Sequence, residues 1–264
     1  MARSALLNVM VTAVLKAGKG LARDFGEVQN LQVSLKGPGD FVSQADMRAE
    51  KTLHAELARA RPGYGFLMEE GGAIAGEDEQ HRWLIDPLDG TTNFLHGIPQ
   101  FCISVALERQ GQLMAAVVYN PANDELYTAE RGGGAFLNDR RLRVAGRKRL
   151  SDCIVGCGIP HLGRPGHGKF LMELRHVMNE TVGVRRLGSV ALDLAYVAAG
   201  RLDGFWEDGM SPWDMAAGAL LIREAGGFVT DRKGGDDMFG RKEIVAGNED
   251  IHRALLAQLR KADG

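Results

Sequence analysis

The chain has 264 residues and a mass of 28.6 kDa; 45% of it is hydrophobic, 25% is charged and the net charge is −2. This length gives one or two domains and enough core to fold without a disulfide or structural metal. The charge balance excludes a protein that holds nucleic acid mainly by bulk charge, and three cysteines (Cys102, Cys153 and Cys157) are too few for a disulfide scaffold and fit a reducing compartment.

Residues 1–25 place Leu6, Val9, Met10, Ala13, Val14, Ala17 and Leu21 at helical spacing. Asn8, Thr12, Lys16 and Lys19 interrupt the apolar pattern and no small-residue cleavage site follows. A packed first helix is therefore expected, rather than a leader or a membrane span, in a cytoplasmic protein. Residues 36–40 (KGPGD) make a turn, and 47–61 a second helix with Ala49, Leu53, Leu57 and Ala60 on one face, stopped by Pro62-Gly63. The apolar run 83–85 reads as a buried strand end. Residues 101–107 and 113–119 are strands flanking Gln110-Gly111; 125–129 and 135–137 follow after further turns. Beyond Arg149 strands (154–157, 202–206, 228–230, 244–246) alternate with helices (169–179, 190–199, 213–225, 250–261). The expected fold is mixed α/β (α+β). An N-terminal lobe over 1–148 holds two helices and an antiparallel meander; a C-terminal α/β lobe over 149–264 joins it in one unit.

The segment Trp83-Leu84-Ile85-Asp86-Pro87-Leu88-Asp89-Gly90-Thr91-Thr92-Asn93 carries the strongest chemical signal. An apolar strand delivers Asp86, the chain then leaves regular structure at Pro87, and Asp89 follows three residues on, so both carboxylates can converge on one point. Gly90 permits close backbone approach, and Thr91-Thr92-Asn93 can open a helix whose free N–H groups face an anion. Hard divalent cations take oxygen ligands of this kind together with phosphate oxygens. A capped turn explains one aspartate. Two of them, with Glu69-Glu70 upstream after the apolar run 66–68, fit a site at strand ends better.

Asp214, after Trp213, reads either as the N-cap of the next helix or as a further cation ligand. Gly188-Ser189-Val190 opens another helix and either caps it or holds polar substrate groups. Asp46 near the start of the second helix is a dipole partner as readily as a catalyst, and Lys36 is a candidate for the same cleft. The histidines and Cys153-x3-Cys157 lack zinc spacing, and the sequence has no G-x-S-x-G, Walker A or dinucleotide glycine fingerprint. The basic run 140–149 (RRLRVAGRKR) reads as a solvated hairpin and lobe junction, with a docking patch for RNA or protein as the alternative.

Glu69-Glu70, DPLDGTTNF from Asp86 to Phe94, HGIPQFCISVAL from His96 to Leu107, the hairpin stretch ending in GGGAFLN, and PWDMAAGALLIREAGG from Pro212 to Gly227 resemble the inositol monophosphatase family. The resemblance runs nearly end to end and is nearest to the bacterial inositol-1-monophosphatase branch. It implies a layered αβαβα sugar-phosphatase-like fold with two lobes. It further implies two or three Mg²⁺ held by Glu69, Asp86, the Leu88 carbonyl, Asp89 and Asp214, with N–H groups at Gly90 and Thr91 on the phosphate. Asp46 and Thr91, with Glu70 nearby, would orient the attacking water. Asp89, Gly188, Ser189, Val190 and Glu207 would contact the inositol, and Lys36 would be a basic group near the site. Val190 stands where the family has alanine, and 157–163 departs from the variants associated with inositol contacts.

The implied reaction is Mg²⁺-dependent, lithium-sensitive hydrolysis of myo-inositol 1-phosphate by a homodimer. Uncatalysed monoester hydrolysis needs acceleration of up to ~10²¹-fold, while a side-chain acid or base supplies ~10²–10⁴, so cations must carry much of it. Alternatives are a superfamily phosphatase for 3′-phosphoadenosine phosphate, fructose bisphosphate or histidinol phosphate, or a transcription and ribosome-biogenesis partner acting through RNA polymerase.

Overall fold

The computed structural model describes residues 3–27, 33–37 and 40–262, with 33–37 and 40–42 described by their backbone alone. The side chain of Lys36 therefore lies outside the described residues. In chain order the elements are α1 (Ala5–Phe25), β1 (Val33–Gly37), β2 (Asp40–Ser43), α2 (Gln44–Ala60), β3 (Tyr64–Met68), β4 (Gly72–Ile74), β5 (Asp78–Asp89), α3 (Thr91–Leu95), β6 (Cys102–Arg109), β7 (Gln112–Asn120), β8 (Glu125–Glu130), β9 (Gly134–Leu137) and β10 (Arg140–Arg141). There follow β11 (Ile154–Cys157), α4 (His167–Met178), β12 (Gly183–Arg185), α5 (Val190–Ala198), β13 (Gly204–Asp208), α6 (Pro212–Glu224), β14 (Phe228–Thr230), α7 (Met238–Arg241), β15 (Glu243–Gly247) and α8 (Glu249–Arg260).

Alternation along the strands sorts the chain into layers. Trp83, Ile85, Ile103, Val105, Leu107, Ala115 and Val117 face α1 and α2, whereas Leu84, Cys102, Ala106, Ala116 and Val118 face α5 and α6. The five-stranded sheet does the same, with Phe205, Ile244 and Ala246 toward α5 and α6, and Val155, Trp206 and Val245 toward α4 and α8. The order of layers is thus helices, eight-stranded sheet, α5 and α6, five-stranded sheet, helices, which is the expected αβαβα arrangement. Gly218 of α6 lets the two central helices meet: a Cβ there would lie 2.4 Å from Leu194 Cβ.

The larger sheet has the order β10-β9-β8-β7-β6-β5-β3-β4 and the smaller one β12-β11-β13-β15-β14. Two expectations need correction. The first sheet is not purely an antiparallel meander, because β3 runs parallel to β5. The strand expected at 83–85 is the middle of the twelve-residue β5, which continues through Pro87 to Asp89. The elements β4, β10, β12 and α7 span only two to four residues, too few to show a period.

Helix α1 is long and apolar enough, by length and composition, to cross a membrane, with a mean hydropathy of 1.3 in its most apolar window. In the fold its Leu7, Met10, Val14, Ala17 and Leu21 are buried in the core shared with α2 and the sheet. The basic run divides into two parts. Arg140 and Arg141 form β10 at the sheet edge, and 142–149 connects the sheets, held by Val144 N–H on the Ala225 carbonyl (3.2 Å) and by Arg147 on buried Asp203 (2.9 Å).

Candidate active site

Strand β5 delivers two carboxylates through a defect in its pairing. Asp86 lies opposite Ser104 and Asp89 opposite Cys102, so three steps on β5 match two on β6. The extra residue is a bulge. In a regular strand, residues three apart face opposite ways; the bulge turns both aspartates to the α5/α6 face. It also explains Pro87 in mid-strand, since a bulge tolerates a residue that cannot donate to the ladder. Asp86 braces the distortion by accepting the Leu88 N–H at 3.0 Å.

The other acids arrive by register and by capping. Met68 of β3 is level with Ile85, and the next residue, Glu69, donates its N–H to the Ile85 carbonyl (3.1 Å), which brings it level with Asp86. Ser104 donates its hydroxyl to the Trp213 carbonyl (3.2 Å), holding the start of α6 over the same face. Asp214 is not the N-cap of α6. Ser211 is, and Asp214, at the third helical position, accepts the Ser211 N–H at 2.8 Å in a capping box. Asp46 repeats this device on α2 with Ser43 as N-cap, so one carboxylate oxygen is occupied and the other accepts the Thr91 hydroxyl at 3.0 Å. The Leu88 carbonyl is also 3.0 Å from that hydroxyl.

Asp89 joins the larger sheet to α5. One of its oxygens accepts both the Ser189 hydroxyl and the Ala191 N–H, each at 2.7 Å. Ser189 is the N-cap of α5 by position, yet its side chain makes no capping bond. At Gly90, φ is 94° and a Cβ would lie 2.9 Å from the Gln100 carbonyl and 3.2 Å from Ser189 Cβ, so only glycine fits there.

Glu69, Asp86, Leu88, Asp89, Gly90, Thr91, Gly188, Val190, Glu207 and Asp214 line one cavity of about 370 Å³. Asp46, Glu70 and Ser189 stand outside this lining; Glu70 has its N–H held by Glu50 at 2.9 Å. Ile159, His161 and Leu162, from the divergent stretch 157–163, also line it, together with Arg164, Arg186 and Met210, which no motif marks. The two arginines join the site by folding rather than by spacing.

Burial pushes the Asp86 carboxyl well above its ordinary range, and the charges of Glu69, Asp89 and Asp214 add to the rise. Asp214 is raised well above its ordinary range by burial and by Asp89. Asp89 is pushed up to about 6 by burial, against the Ser189 hydrogen bond, and Glu207 to about 7 by burial and Asp89. Acids that raise one another's proton affinity form a cluster that a divalent cation would relieve. The set is all oxygen, including the Leu88 carbonyl, which fits Mg²⁺ and not a soft metal. Among the described residues, no three histidine, cysteine or acidic groups already stand close enough to ligate one ion.

A layered αβαβα fold with an acid-lined cleft between its sheets defines a phosphatase-type protein. The model of the inositol monophosphatase family matches residues 2–263, and the chain belongs to that family. The inositol-1-monophosphatase of Mesorhizobium japonicum is 73% identical over 261 residues, 99% of this chain and 98% of that protein. The Nus factor SuhB of Pseudomonas aeruginosa is 45% identical, over 97% of this chain and 96% of its own. The crystal structure of extragenic suppressor protein suhB from Bartonella henselae matches with a TM-score of 0.96 at 65% identity, covering 98% of this chain and 99% of that one.

Proposed function

We propose that the protein is a Mg²⁺-dependent phosphomonoesterase that hydrolyses myo-inositol 1-phosphate to inositol and phosphate. The observation that carries this reading is the convergence on one cavity of Glu69 after β3, Asp86 and Asp89 from β5, and Asp214 from α6. These side chains and the Leu88 carbonyl would hold two or three Mg²⁺. When bound, the ions supply an activated water and neutralise charge on the phosphoryl and leaving oxygens.

The chain's own groups do the rest. Thr91, fixed by Asp46, presents its hydroxyl at the cavity wall to orient the attacking water, and Asp46 is the acceptor behind it. The N–H groups of Gly90 and Thr91 donate to the phosphate. Asp89 and Glu207 accept polyol hydroxyls, and Arg164 and Arg186 favour an anionic substrate. Val190 lines the cavity, so its extra carbons narrow the polyol pocket relative to alanine. The name of the Mesorhizobium relative supports inositol phosphate as substrate.

The test is phosphate release from myo-inositol 1-phosphate, 3′-phosphoadenosine phosphate, fructose bisphosphate and histidinol phosphate, with and without Mg²⁺ and with lithium. Preference for another ester would overturn the substrate; release independent of Mg²⁺ would overturn the mechanism. The expected homodimer draws support from Leu171, Met172, Met178 and Val182, exposed apolar residues on and just beyond α4. A second reading, as a partner of RNA polymerase, is favoured by the Nus factor name of the Pseudomonas relative. Capture of RNA polymerase by both wild type and Asp86→Asn would support it, because a scaffold role survives loss of catalysis.

A further inference from the structure

A second cavity, of about 280 Å³, adjoins the acidic one and shares Ile159, Arg164 and Glu207 with it. Its lining is mostly apolar. Phe170 lies nearly parallel to Trp206, with ring centroids 6.4 Å apart and planes at 21°, and Pro160 and Pro165 complete the rim. Ile159, at the junction of the two cavities, is 42% exposed.

Of the charged groups around this annex, Lys169, Glu173 and Asp208 are ion-paired within the protein, while Arg164 and Glu207 stand on the side shared with the acidic cavity. Glu173 accepts the Trp206 indole N–H (3.2 Å) and is bridged to Arg232 at 2.7 Å. Asp208 is bridged to Arg232 at 3.1 Å and to Lys169 at 3.7 Å. Arg164 donates to the Gly209 carbonyl at 2.9 Å. Away from that shared side, what the annex offers a ligand is the apolar surface of Phe170, Pro160 and Pro165, with Trp206 backing Phe170 from the core. A cavity of about 150 Å³ suffices for benzene, so a substituted ring fits here. The annex alone is below the ~300 Å³ of an independent ligand site; joined to the acidic cavity it makes one two-part cleft.

We propose that this annex binds an uncharged aromatic extension on the alcohol of a phosphate monoester, so that the enzyme takes aryl-substituted esters besides a bare polyol phosphate. The inference rests on the phosphomonoesterase reading for its head group. A polyol such as inositol, hydroxylated all round, gains nothing from the annex.

The experiment measures calorimetric dissociation constants, on the full chain with Mg²⁺, for ω-phenylalkylphosphonates of several chain lengths against n-alkylphosphonates of matching length. These compounds are not hydrolysed, so binding is read separately from turnover. The best phenyl compound is expected to bind at least about tenfold more tightly than its alkyl counterpart. The difference should vanish in Phe170→Ala, and in Pro165→Trp, which fills the annex from an exposed loop and spares the core. Both variants should turn over inositol 1-phosphate as wild type does. Equal constants for the two series, or a difference that persists in Pro165→Trp, would overturn the annex. Absence of inositol 1-phosphate turnover in wild type would instead count against the hydrolase reading, whatever the phosphonates show.

Discussion

Ser189 gives its hydroxyl to Asp89, 2.7 Å away at the end of β5, instead of capping its own helix. Asp89 takes over the capping by accepting the Ala191 N–H at the same distance. One carboxylate thus fixes α5 against the β5 bulge. Ser189→Ala removes one of two strong donors to a buried carboxylate. A loss of about 1–2 kcal/mol in stability is expected, together with about a tenfold fall in kcat/KM. Thermal melts and a Mg²⁺ titration of activity check both.

Asp86→Asn separates catalysis from stability. Asp86 is 2% exposed and crowded by Glu69, Asp89 and Asp214. An uncharged amide relieves that crowding, so the variant is expected to melt no lower than wild type in chelator while losing Mg²⁺-dependent hydrolysis. Full turnover by this variant would remove Asp86 from the cation site.

The same crowding sets a pH dependence for the cation-free protein. Asp89 and Glu207 are raised to about 6 and about 7, above the ordinary carboxyl value near 4. The folded chain therefore binds these protons more tightly than the unfolded chain. Their contribution is fully present below about pH 4 and is lost as pH rises through about 6 and then about 7. In chelator the melting temperature should fall across that window. Glu207→Gln should flatten the upper part, and Mg²⁺ should lessen the fall by pairing the ionised acids.

Long periodic elements were legible in the sequence: the apolar spacing of α1 and α2 and the alternation of β6 and β7 match the folded chain closely. The four acids that line the cavity could be picked out of the sequence because Glu69, Asp86 and Asp214 each adjoin an apolar run that had to be buried and Asp89 follows Asp86 by three residues. The bulge was not. Pro87 reads as the end of a strand, and only the β6 register shows that β5 continues through it. Capping geometry was also hidden, since Asp214 and Ser211 are both good cap residues and only the folded backbone chooses between them. Arg164 and Arg186 lie within two residues of the segments 157–163 and Gly188-Ser189-Val190, but neither belongs to a motif, and only the folded chain shows that both reach the cavity.

Arg147 tests what the basic run does. Its guanidinium pairs at 2.9 Å with Asp203, which is 3% exposed and also accepts the Ile154 N–H at 2.8 Å. Arg147→Ala leaves a buried carboxylate with one donor fewer, and a loss of about 1–3 kcal/mol is expected by denaturant melts. Arg140→Ala, at the exposed sheet edge, should cost nothing measurable. Equal stability in both variants would contradict the structural role of the junction.

Gly158 sets the position of Glu207. A Cβ on Gly158 would lie 1.8 Å from the Glu207 carboxyl carbon and 2.1 Å from each of its oxygens. The backbone there needs no left-handed conformation, so Gly158→Ala acts through that clash alone. The clash involves the end of a flexible side chain, which can swing aside and leave the fold intact. A displaced Glu207 no longer accepts polyol hydroxyls, so KM for inositol 1-phosphate should rise by about ten- to a hundredfold with a smaller change in kcat, since one lost charged hydrogen bond is worth about 1.5–3 kcal/mol. Glu207→Gln keeps the shape and loses the charge, and should raise KM less than Gly158→Ala does. Steady-state kinetics on the two variants check the order. If Gly158→Ala leaves KM unchanged, Glu207 does not hold the polyol, and the substrate contact has to be sought at Asp89 and the Gly188 backbone.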